Sequence, residues 1–486
     1  MPFFLLAILL GILTYWVIRR SVANITRTPV WLLWFVMMLP VFVLVLWLLL
    51  QGDEALPMLL VYGLFILCPL VYAFLIALGR MPQAQVATAA SPVVEKKPAE
   101  KPITRDEETL LQRCFPWSVY YLQDIEYRAQ TMICRGKLKT NPGQAYQTVT
   151  KNIKSQFGDR FLVVFQEGFS GKPFFALIPN PQRQKKASRT ANRGKQPGIA
   201  LALLITTLIT TTLAGVFYVG GFSSELLRER PELIWQQGIA YGLALLAILG
   251  VHEMGHYLMA RRYKIDVTPP YFIPVPFFLG TFGAFIQMRA PVPHRRALFD
   301  VGIAGPLAGF VMTLPILLWG LAHSTVIPLT EEASLLNFNE MDPGGSIILA
   351  LMSKLALGSA IAADQAIDLH PVAVAGCLGL VITALNLMPV GQLDGGHIVH
   401  AIYGQRMGAL IGQISRFLVL VLAFVHPEFL LWAVLLFFIP TVDEPALNDV
   451  SELDQVRDVL GLLALTLLVL IVIPAPNVLM SALFGG

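Results

Sequence analysis

Long runs of apolar residues, separated by short polar or proline-containing breaks, dominate the hydropathy pattern of this chain. About 20 consecutive apolar residues suffice for a helix to cross a bilayer, so most of these runs predict membrane-spanning helices. Phe429–Ile439 is too short to cross alone, and we expect eight to ten crossings. The predicted spans are Pro2–Ile18, Trp31–Leu50, Ala55–Leu78, Gly198–Phe222, Leu233–Met259, Ala297–Ala322, Pro371–Met388, Gly408–Val425, Phe429–Ile439 and Val459–Ile473.

The polar stretches between these runs divide the chain into five segments. Residues 1–80 predict an N-terminal anchor of three helices, and 81–104 a disordered linker rich in Pro, Ala, Lys and Glu. Residues 105–182 predict a small α+β cytosolic domain, 183–197 a basic tether, and 198–476 the main membrane domain. The fold class is therefore an all-α polytopic membrane protein that carries one small soluble domain.

Alternation and turn signals outline the elements of the soluble domain. A helix starts after Thr104, with acidic residues in its first turn, and a second runs from Asn141 to about Gly158. Tyr127–Leu138 alternates as one strand would. Phe161–Gln166 and Phe174–Ile178 predict a β-hairpin around a Ser-Gly-Lys-Pro turn.

Composition and charge agree with a membrane protein and suggest its orientation. The chain is 56% hydrophobic and 14% charged, whereas soluble domains average about 25% charged residues. Residues 80–197 carry 20 Lys/Arg against 9 Asp/Glu, so the positive-inside rule places them in the cytoplasm. The basic tether favours contact with anionic lipid, and without interleaved aromatic residues it does not indicate nucleic-acid binding.

His252-Glu253-Met254-Gly255-His256 lies inside the apolar run Leu233–Met259. Two histidines four residues apart project from one face of a helix and can bind one Zn²⁺, while the glutamate between them can activate a water. Ionisable residues are costly within a membrane and indicate a functional site there. The alternative is a pair of histidines that only hydrogen-bond between packed helices.

A third ligand is needed, because catalytic zinc keeps three protein ligands and one open position. Asp394 follows a span that runs toward the same cytoplasmic depth as the histidines, and Gly395 and Gly396 would permit a backbone break there. Asn386 could hydrogen-bond a substrate backbone or a developing oxyanion. His397 shares a helical face with Asp394 and could hydrogen-bond it from the second shell.

These motifs together resemble the site-2 protease family of intramembrane zinc metalloproteases. The resemblance runs from about Gly198 to Pro476 and includes Gly302-Ile-Ala-Gly-Pro-Leu-Ala-Gly309. The run Tyr271–Ile286 and the ending Asp443-Glu-Pro-Ala-Leu-Asn-Asp449 are similar to the plant and cyanobacterial subgroup named for ethylene-dependent gravitropism-deficient, yellow-green mutants.

The resemblance implies cleavage of a transmembrane protein substrate within or beside its membrane segment. The cofactor would be Zn²⁺ on His252, His256 and Asp394, with Glu253 as the catalytic base. The protein would be an integral multi-pass protein of a plasma or thylakoid membrane, in a cyanobacterium, with its active site toward the cytoplasmic side. Neither the substrate's identity nor the oligomeric state follows from the sequence.

Thr268–Gln287 is too short, and too rich in proline and glycine, to span twice as helix. It predicts a re-entrant, strand-like hairpin in which Gly280 and Gly283 help to position an unwound substrate by β-augmentation. The alternative is a plain buried loop.

Two other functions compete with proteolysis. A non-proteolytic zinc-binding membrane protein of the same fold would keep the metal, but the intact Glu253 argues against it. A secondary transporter would use broken helices and polar groups at the membrane midplane. No internal repeat supports a transporter.

Overall fold

The computed structural model describes most of the chain after residue 102. It covers residues 28–51, 103–128, 131–168, 171–180, 197–221, 229–275, 279–329, 340–362, 365–425 and 429–485, with scattered positions elsewhere before residue 80. The predicted linker 81–104 and the basic tether 183–197 lie almost wholly outside the described residues, as do most of the predicted spans 2–18 and 55–78.

The chain divides into two compact units, Met1–Glu100 and Lys101–Gly486. In the first unit, helix α1 (Val30–Gln51) coincides with a predicted span. Its Trp34 indole donates a hydrogen bond of 2.8 Å to the Gly11 carbonyl. All further elements belong to the second unit.

The second unit begins with a small α+β region whose elements follow local sequence signals. Thr104 caps the first helix through a capping box with Glu107, which satisfies free N–H groups at the helix start. Asn141 caps the second helix, which has Pro142 in its first turn. The elements are α2 (Arg105–Arg113), β1 (Tyr120–Arg128), β2 (Thr131–Leu138), α3 (Pro142–Phe157), β3 (Phe161–Glu167) and β4 (Pro173–Pro179).

The four strands form one antiparallel sheet in the order β1-β2-β4-β3. The predicted hairpin is confirmed as β3 and β4, and the strand predicted over Tyr127–Leu138 is confirmed as β2 from Thr131 onward. Its first residues, Tyr127 and Arg128, belong instead to β1, a strand that was not predicted. Stacked and edge-on aromatic rings fill the core, with Phe165 and Phe175 stacked at 4.2 Å. These contacts give the region its own buried core.

The rest of the second unit is mainly helical, and short π-helical turns (Gly215–Val219 and Ile234–Ile239) extend α4 and precede α5. The elements are α4 (Pro197–Ala214), α5 (Ala240–Arg262), β5 (Tyr271–Pro274), β6 (Thr281–Phe285), α6 (Arg295–Ala322), β7 (Thr325–Pro328), α7 (Ile347–Leu357), β8 (Gln365–Asp368), α8 (Pro371–Leu387), α9 (Asp394–Tyr403), α10 (Gln405–Val425), α11 (Leu430–Phe438), α12 (Gln455–Val472) and α13 (Asn477–Phe484).

Five of the described helices are long and apolar enough to cross a membrane by length and composition: Pro197–Phe217, Ile234–Arg262, Arg295–Ala322, Gln405–Phe424 and Gln455–Val472. Shorter apolar helices, such as α8, add to this set. These helices coincide with predicted spans. The total of eight to ten crossings stays a prediction, because the described residues omit most of two predicted spans.

Several buried threonine hydroxyls in these helices donate to a carbonyl of their own helix, as an apolar surrounding favours, whereas the buried Ser353 hydroxyl has no partner among the described residues. Thr211 donates to the Thr207 carbonyl at 2.8 Å, and Thr313 donates to the Gly309 carbonyl at 2.8 Å. These threonines can therefore lie among packed helices without leaving donors unpaired.

The segment between α5 and α6 forms a two-stranded hairpin, with β5 and β6 antiparallel, and its predicted re-entrant position in a membrane stays a prediction. Its turn is anchored to the helices: Thr210 donates to the Gly280 carbonyl at 2.7 Å, and Tyr241 donates to the Leu279 carbonyl at 3.1 Å. Gly280 has a φ of +80°, and a Cβ there would overlap the backbone of Thr211. Glycine is therefore required where the hairpin meets α4.

Candidate metal centre

The turn of α5 that carries the motif residues faces the interior of the helical core. His252, Glu253 and His256 are 4%, 9% and 8% exposed, respectively. The i, i+4 spacing brings the imidazoles together, and their Nε2 atoms lie 3.2 Å apart. Two imidazole nitrogens at this distance need a shared proton or a cation between them.

A backbone carbonyl of α6 fixes the orientation of one imidazole. His256 Nδ1 lies 2.7 Å from the Val301 carbonyl oxygen. Because a carbonyl only accepts, Nδ1 carries the proton, and Nε2 presents its lone pair to the other ligand atoms. This is the tautomer that a metal-binding histidine needs.

Three glycines of α6 allow that helix to lie directly against the histidines. A Cβ at Gly305 would overlap the His256 ring, and a Cβ at Gly309 would lie 3.0 Å from His252 Nδ1. A Cβ at Gly302 would lie 3.1 Å from the Cβ of His397. The small-residue pattern therefore serves close packing, as in other membrane helix pairs, and it places α6 against the motif face of α5.

Asp394 is the first residue of α9, and its carboxylate lies against both histidines. Between α8 and α9 the chain turns through Gly391, which has a φ of +51°. Gly395 and Gly396 do not break the backbone as expected: they are helical, and a Cβ at either would overlap the carbonyl of Leu387 or Gly391. They let α9 pack tightly on the end of α8, which fixes where Asp394 lies.

The three ligand atoms form a compact triangle. Asp394 Oδ2 lies 3.5 Å from His252 Nε2 and 3.2 Å from His256 Nε2. Tetrahedral Zn²⁺ with bonds of about 2.0–2.2 Å needs ligand atoms roughly 3.3–3.5 Å apart, so the triangle has the right size. Two imidazoles and one carboxylate are also the donor types that zinc accepts. Among the described residues this is the one group that could hold a metal ion.

A cavity of about 290 Å³ opens beside these atoms. Glu253 lines it without belonging to the ligand group, as a base acting on a metal-bound water must. Asn386 lies on the cavity with its Nδ2 3.3 Å from His252 Nε2. Gly280 and Gly283 do not line it; the hairpin contributes the neighbouring residues Ala284–Ile286.

His397 also lines the cavity, but its hydrogen bond differs from the expected one to Asp394. Its Nδ1 lies 2.9 Å from Asp443 Oδ2. Asp443 also contacts His400, and His400 contacts Asp449, which pairs with Arg295 at the start of α6. We call these five residues the aspartate–histidine network: Arg295, His397, His400, Asp443 and Asp449.

Sequence reasoning missed two contributors to the site: the Val301 carbonyl and Asp443. The Val301 carbonyl lies in α6, and its role is visible only once that helix is packed on α5. The sequence does mark Asp443 as the first residue of the motif Asp443-Glu-Pro-Ala-Leu-Asn-Asp449. No role could be assigned to that motif without the fold.

Comparison with known proteins shows which family the chain resembles. Residues 240–425 match Peptidase family M50. This range contains the histidine motif, the α6 glycines and Asp394, so the predicted resemblance to the site-2 protease family is confirmed.

Individual relatives agree with the family match. The chain is 26% identical over 377 residues to "Probable zinc metalloprotease EGY2, chloroplastic" of Oryza sativa subsp. indica, covering 76% of this chain and 66% of that protein. It is 27% identical over 395 residues to the EGY2 protein of Arabidopsis thaliana, covering 78% and 68%, respectively. It is 36% identical over 238 residues to "Probable zinc metalloprotease EGY1, chloroplastic" of Arabidopsis thaliana, covering 49% and 42%.

The chain thus spans about two thirds of the length of the EGY2 proteins. These relatives carry the names of probable zinc metalloproteases, which supports a protease role and a zinc cofactor. The names of these relatives place them in the ethylene-dependent gravitropism-deficient, yellow-green subgroup. This is the subgroup that Tyr271–Ile286 and the motif Asp443–Asp449 led us to expect.

Proposed function

We propose that this protein is an intramembrane zinc metalloendopeptidase. It would cleave a peptide bond within or beside the membrane segment of a transmembrane protein substrate. The observation that carries the proposal is the convergence of His252, His256 and Asp394 on one point, beside Glu253, within helices apolar enough to span a bilayer. The matched family and the names of the relatives support the same reaction class.

The bound metal would supply Lewis acidity and a water whose pKa falls toward about 7. His252, His256 and Asp394 would hold it, with His256 oriented by the Val301 carbonyl. Glu253 would accept the proton of the attacking water and deliver it to the leaving amine. Glu253 lines the same cavity as the three proposed ligands, which is the position that this role requires.

Asn386 and the hairpin would position the substrate. The Asn386 side chain reaches the metal centre from α8, so its amide can donate to a substrate carbonyl or a developing oxyanion. Among the described residues, β6 pairs only with β5, which leaves the outer edge of β6 free for an extended substrate. The end of β6 leads into the cavity at Phe285 and Ile286.

Gly280 would act indirectly by anchoring the hairpin to α4, as its packing indicates. Gly283 has a φ of +103° and open space around the position of a Cβ. It would shape β6 without touching the metal ligands. The proposal thus keeps both glycines as positioning residues of the hairpin.

The charge pattern supports an active site toward the cytoplasm. Arg261 and Arg262 end α5 shortly after His256, and the positive-inside rule assigns that end to the cytoplasmic side. We place the protein as a multi-pass protein of a plasma or thylakoid membrane, in contact with the lipid bilayer. Single cysteine substitutions at Ser188, in the basic tether, and at Ser324, just after α6, test the orientation. The two cysteines should be labelled from opposite faces of the membrane, and labelling of both from one face would contradict the orientation.

Substitution of Glu253 tests the proteolytic mechanism. Glu253→Gln should keep zinc, because Glu253 is not in the ligand group, but glutamine cannot accept the proton of the water. Cleavage of a helix-destabilised transmembrane substrate in proteoliposomes should fall by a factor of about 10²–10⁴. Wild-type protein gives the full cleavage rate in this assay, and a buffer-only sample gives the background. Proteolysis retained by a zinc-loaded variant would exclude the general-base role.

A further inference from the structure

The aspartate–histidine network meets α9 at His397 and His400, three and six residues after Asp394, and contains none of the three proposed metal ligands. His400 is 1% exposed. Its Nδ1 lies 2.6 Å from Asp443 Oδ2, and its Nε2 lies 3.0 Å from Asp449 Oδ1. A carboxylate only accepts, so both ring nitrogens must donate, and His400 is a buried imidazolium held by two aspartates.

The charges of this network balance. Burial alone would lower the pKa of His400, but hydrogen bonds to Asp443 and Asp449 outweigh burial and raise the pKa to about 9. Arg295 supplies a second cation through a contact of 3.3 Å to Asp449. Asp443 Oδ1 is buried and has no hydrogen-bond partner among the described residues, a cost that its two histidine contacts must offset.

The two aspartates lie on the segment between α11 and α12, which is held from both sides. On one side, the Phe165 N–H of β3 donates to the Leu447 carbonyl at 2.7 Å, and the Asp449 N–H donates to the Phe165 carbonyl at 2.9 Å. On the other, the Leu447 N–H donates to the Val292 carbonyl at 2.9 Å, just before α6. The segment thus joins the α+β region to the helical core.

Side chains extend this connection in both directions. Val450 is 7% exposed and belongs to the hydrophobic core of the α+β region. Asp443 and Asp449 contact His397 and His400 on α9. Since α9 has only 10 residues, a shift of its middle is also a shift of Asp394 at its start.

We propose that His400, Asp443 and Asp449 are positioning residues, which hold α9 so that Asp394 stays in register with His252 and His256. The α+β region is part of this support, because β3 and its core hold the segment that carries both aspartates. The inference rests on the proposed zinc function. It assigns a role to the C-terminal acidic motif and to the soluble region, neither of which touches the metal ligands.

Metal affinity of the full-length protein in detergent or nanodiscs tests the proposal. His400→Gln and Asp443→Asn should each weaken zinc binding by tenfold or more in chelator competition, the size expected when a metal ligand loses its outer support. The absorption bands of the Co²⁺-loaded protein should shift, and kcat should fall with KM unchanged. Because both residues act through α9, the zinc affinity of the double variant should be little lower than that of either single variant.

A matched control removes an aspartate ion pair elsewhere. Asp454 pairs with Arg457 at the start of α12, away from the aspartate–histidine network, so Asp454→Asn should keep wild-type metal affinity and Co²⁺ spectrum. Asp443→Asn preserves side-chain size and serves as the principal variant if His400→Gln fails to fold. Wild-type zinc affinity and spectrum in folded Asp443→Asn would overturn the proposal.

A second pair of variants tests the contribution of the α+β region. Val450→Ala weakens the anchor of the segment, whereas Val149→Ala removes the same two methyl groups from that core on α3, away from the strand that holds the segment. Only Val450→Ala should shift the Co²⁺ spectrum; equal spectra would remove the α+β region from the proposal. If the wild-type protein binds no zinc, the proposed zinc function is contradicted. If the wild-type protein and every variant bind zinc with equal affinity, only the positioning role is contradicted.

Discussion

Two clusters of histidine and aspartate each include residues of α9, and they differ in which groups face the ring nitrogens of their histidines. In the metal centre, two imidazoles share a single carboxylate, and their Nε2 atoms face each other at 3.2 Å. In the aspartate–histidine network, each nitrogen of His400 faces a carboxylate. The metal centre therefore needs a bound cation, whereas the aspartate–histidine network already contains one in the His400 imidazolium.

The difference shows how the same residue types are directed to different tasks. The Val301 carbonyl accepts a hydrogen bond from the Nδ1–H of His256, which leaves the Nε2 lone pair available for a metal. Two carboxylates keep both protons on His400 and leave no lone pair. Ligand capacity therefore depends on the acceptors around an imidazole more than on its burial, because His252, His256 and His400 are all buried.

Filling the space beside the histidines should have the largest effect on the metal centre. Gly305→Ala would push a methyl group into the His256 ring, so zinc binding and cleavage should both be lost. Gly309→Ala is the matched control, because its Cβ would meet His252 at a tight but adjustable 3.0 Å. Metal analysis of both folded variants checks this order, and equal zinc content in the two would contradict the packing argument.

The network should instead determine stability at alkaline pH. The folded pKa of His400, about 9, lies above its ordinary value of 6.5. Its contribution is therefore complete below about pH 6.5 and disappears as the pH rises through about 9, a loss on the order of 3 kcal/mol. Thermal unfolding from about pH 6 to 10 should show this loss in wild-type protein and a flatter profile in His400→Gln. Parallel profiles would show that His400 is not a buried cation.

The sequence predicted the parts of the metal centre that depend on local periodicity and simple chemistry. The i, i+4 spacing places His252 and His256 on one face of α5, and the charge balance of a buried site points to Asp394. The supports of the site were not predictable, because they come from tertiary packing. Asp443 lies 46 residues from its partner His397, and nothing in their spacing links them.

The errors in the fold have equally local causes. The strand predicted over Tyr127–Leu138 takes in the last two residues of β1, because neither Ala129 nor Gln130 is a glycine or proline that would mark a boundary in the sequence. The backbone break expected at Gly395 and Gly396 lies earlier, at Gly391. Several adjacent glycines look alike in sequence, and only packing distinguishes a positive φ from a close helix approach.

The central claim is that an open cluster of two histidines and one aspartate binds a metal ion, and zinc content measures this most directly. Purified wild-type protein should contain one zinc ion per chain. Asp394→Ala, verified as folded, should lose most of it, because two imidazoles leave the site without its third ligand. Full zinc occupancy in Asp394→Ala would contradict the account.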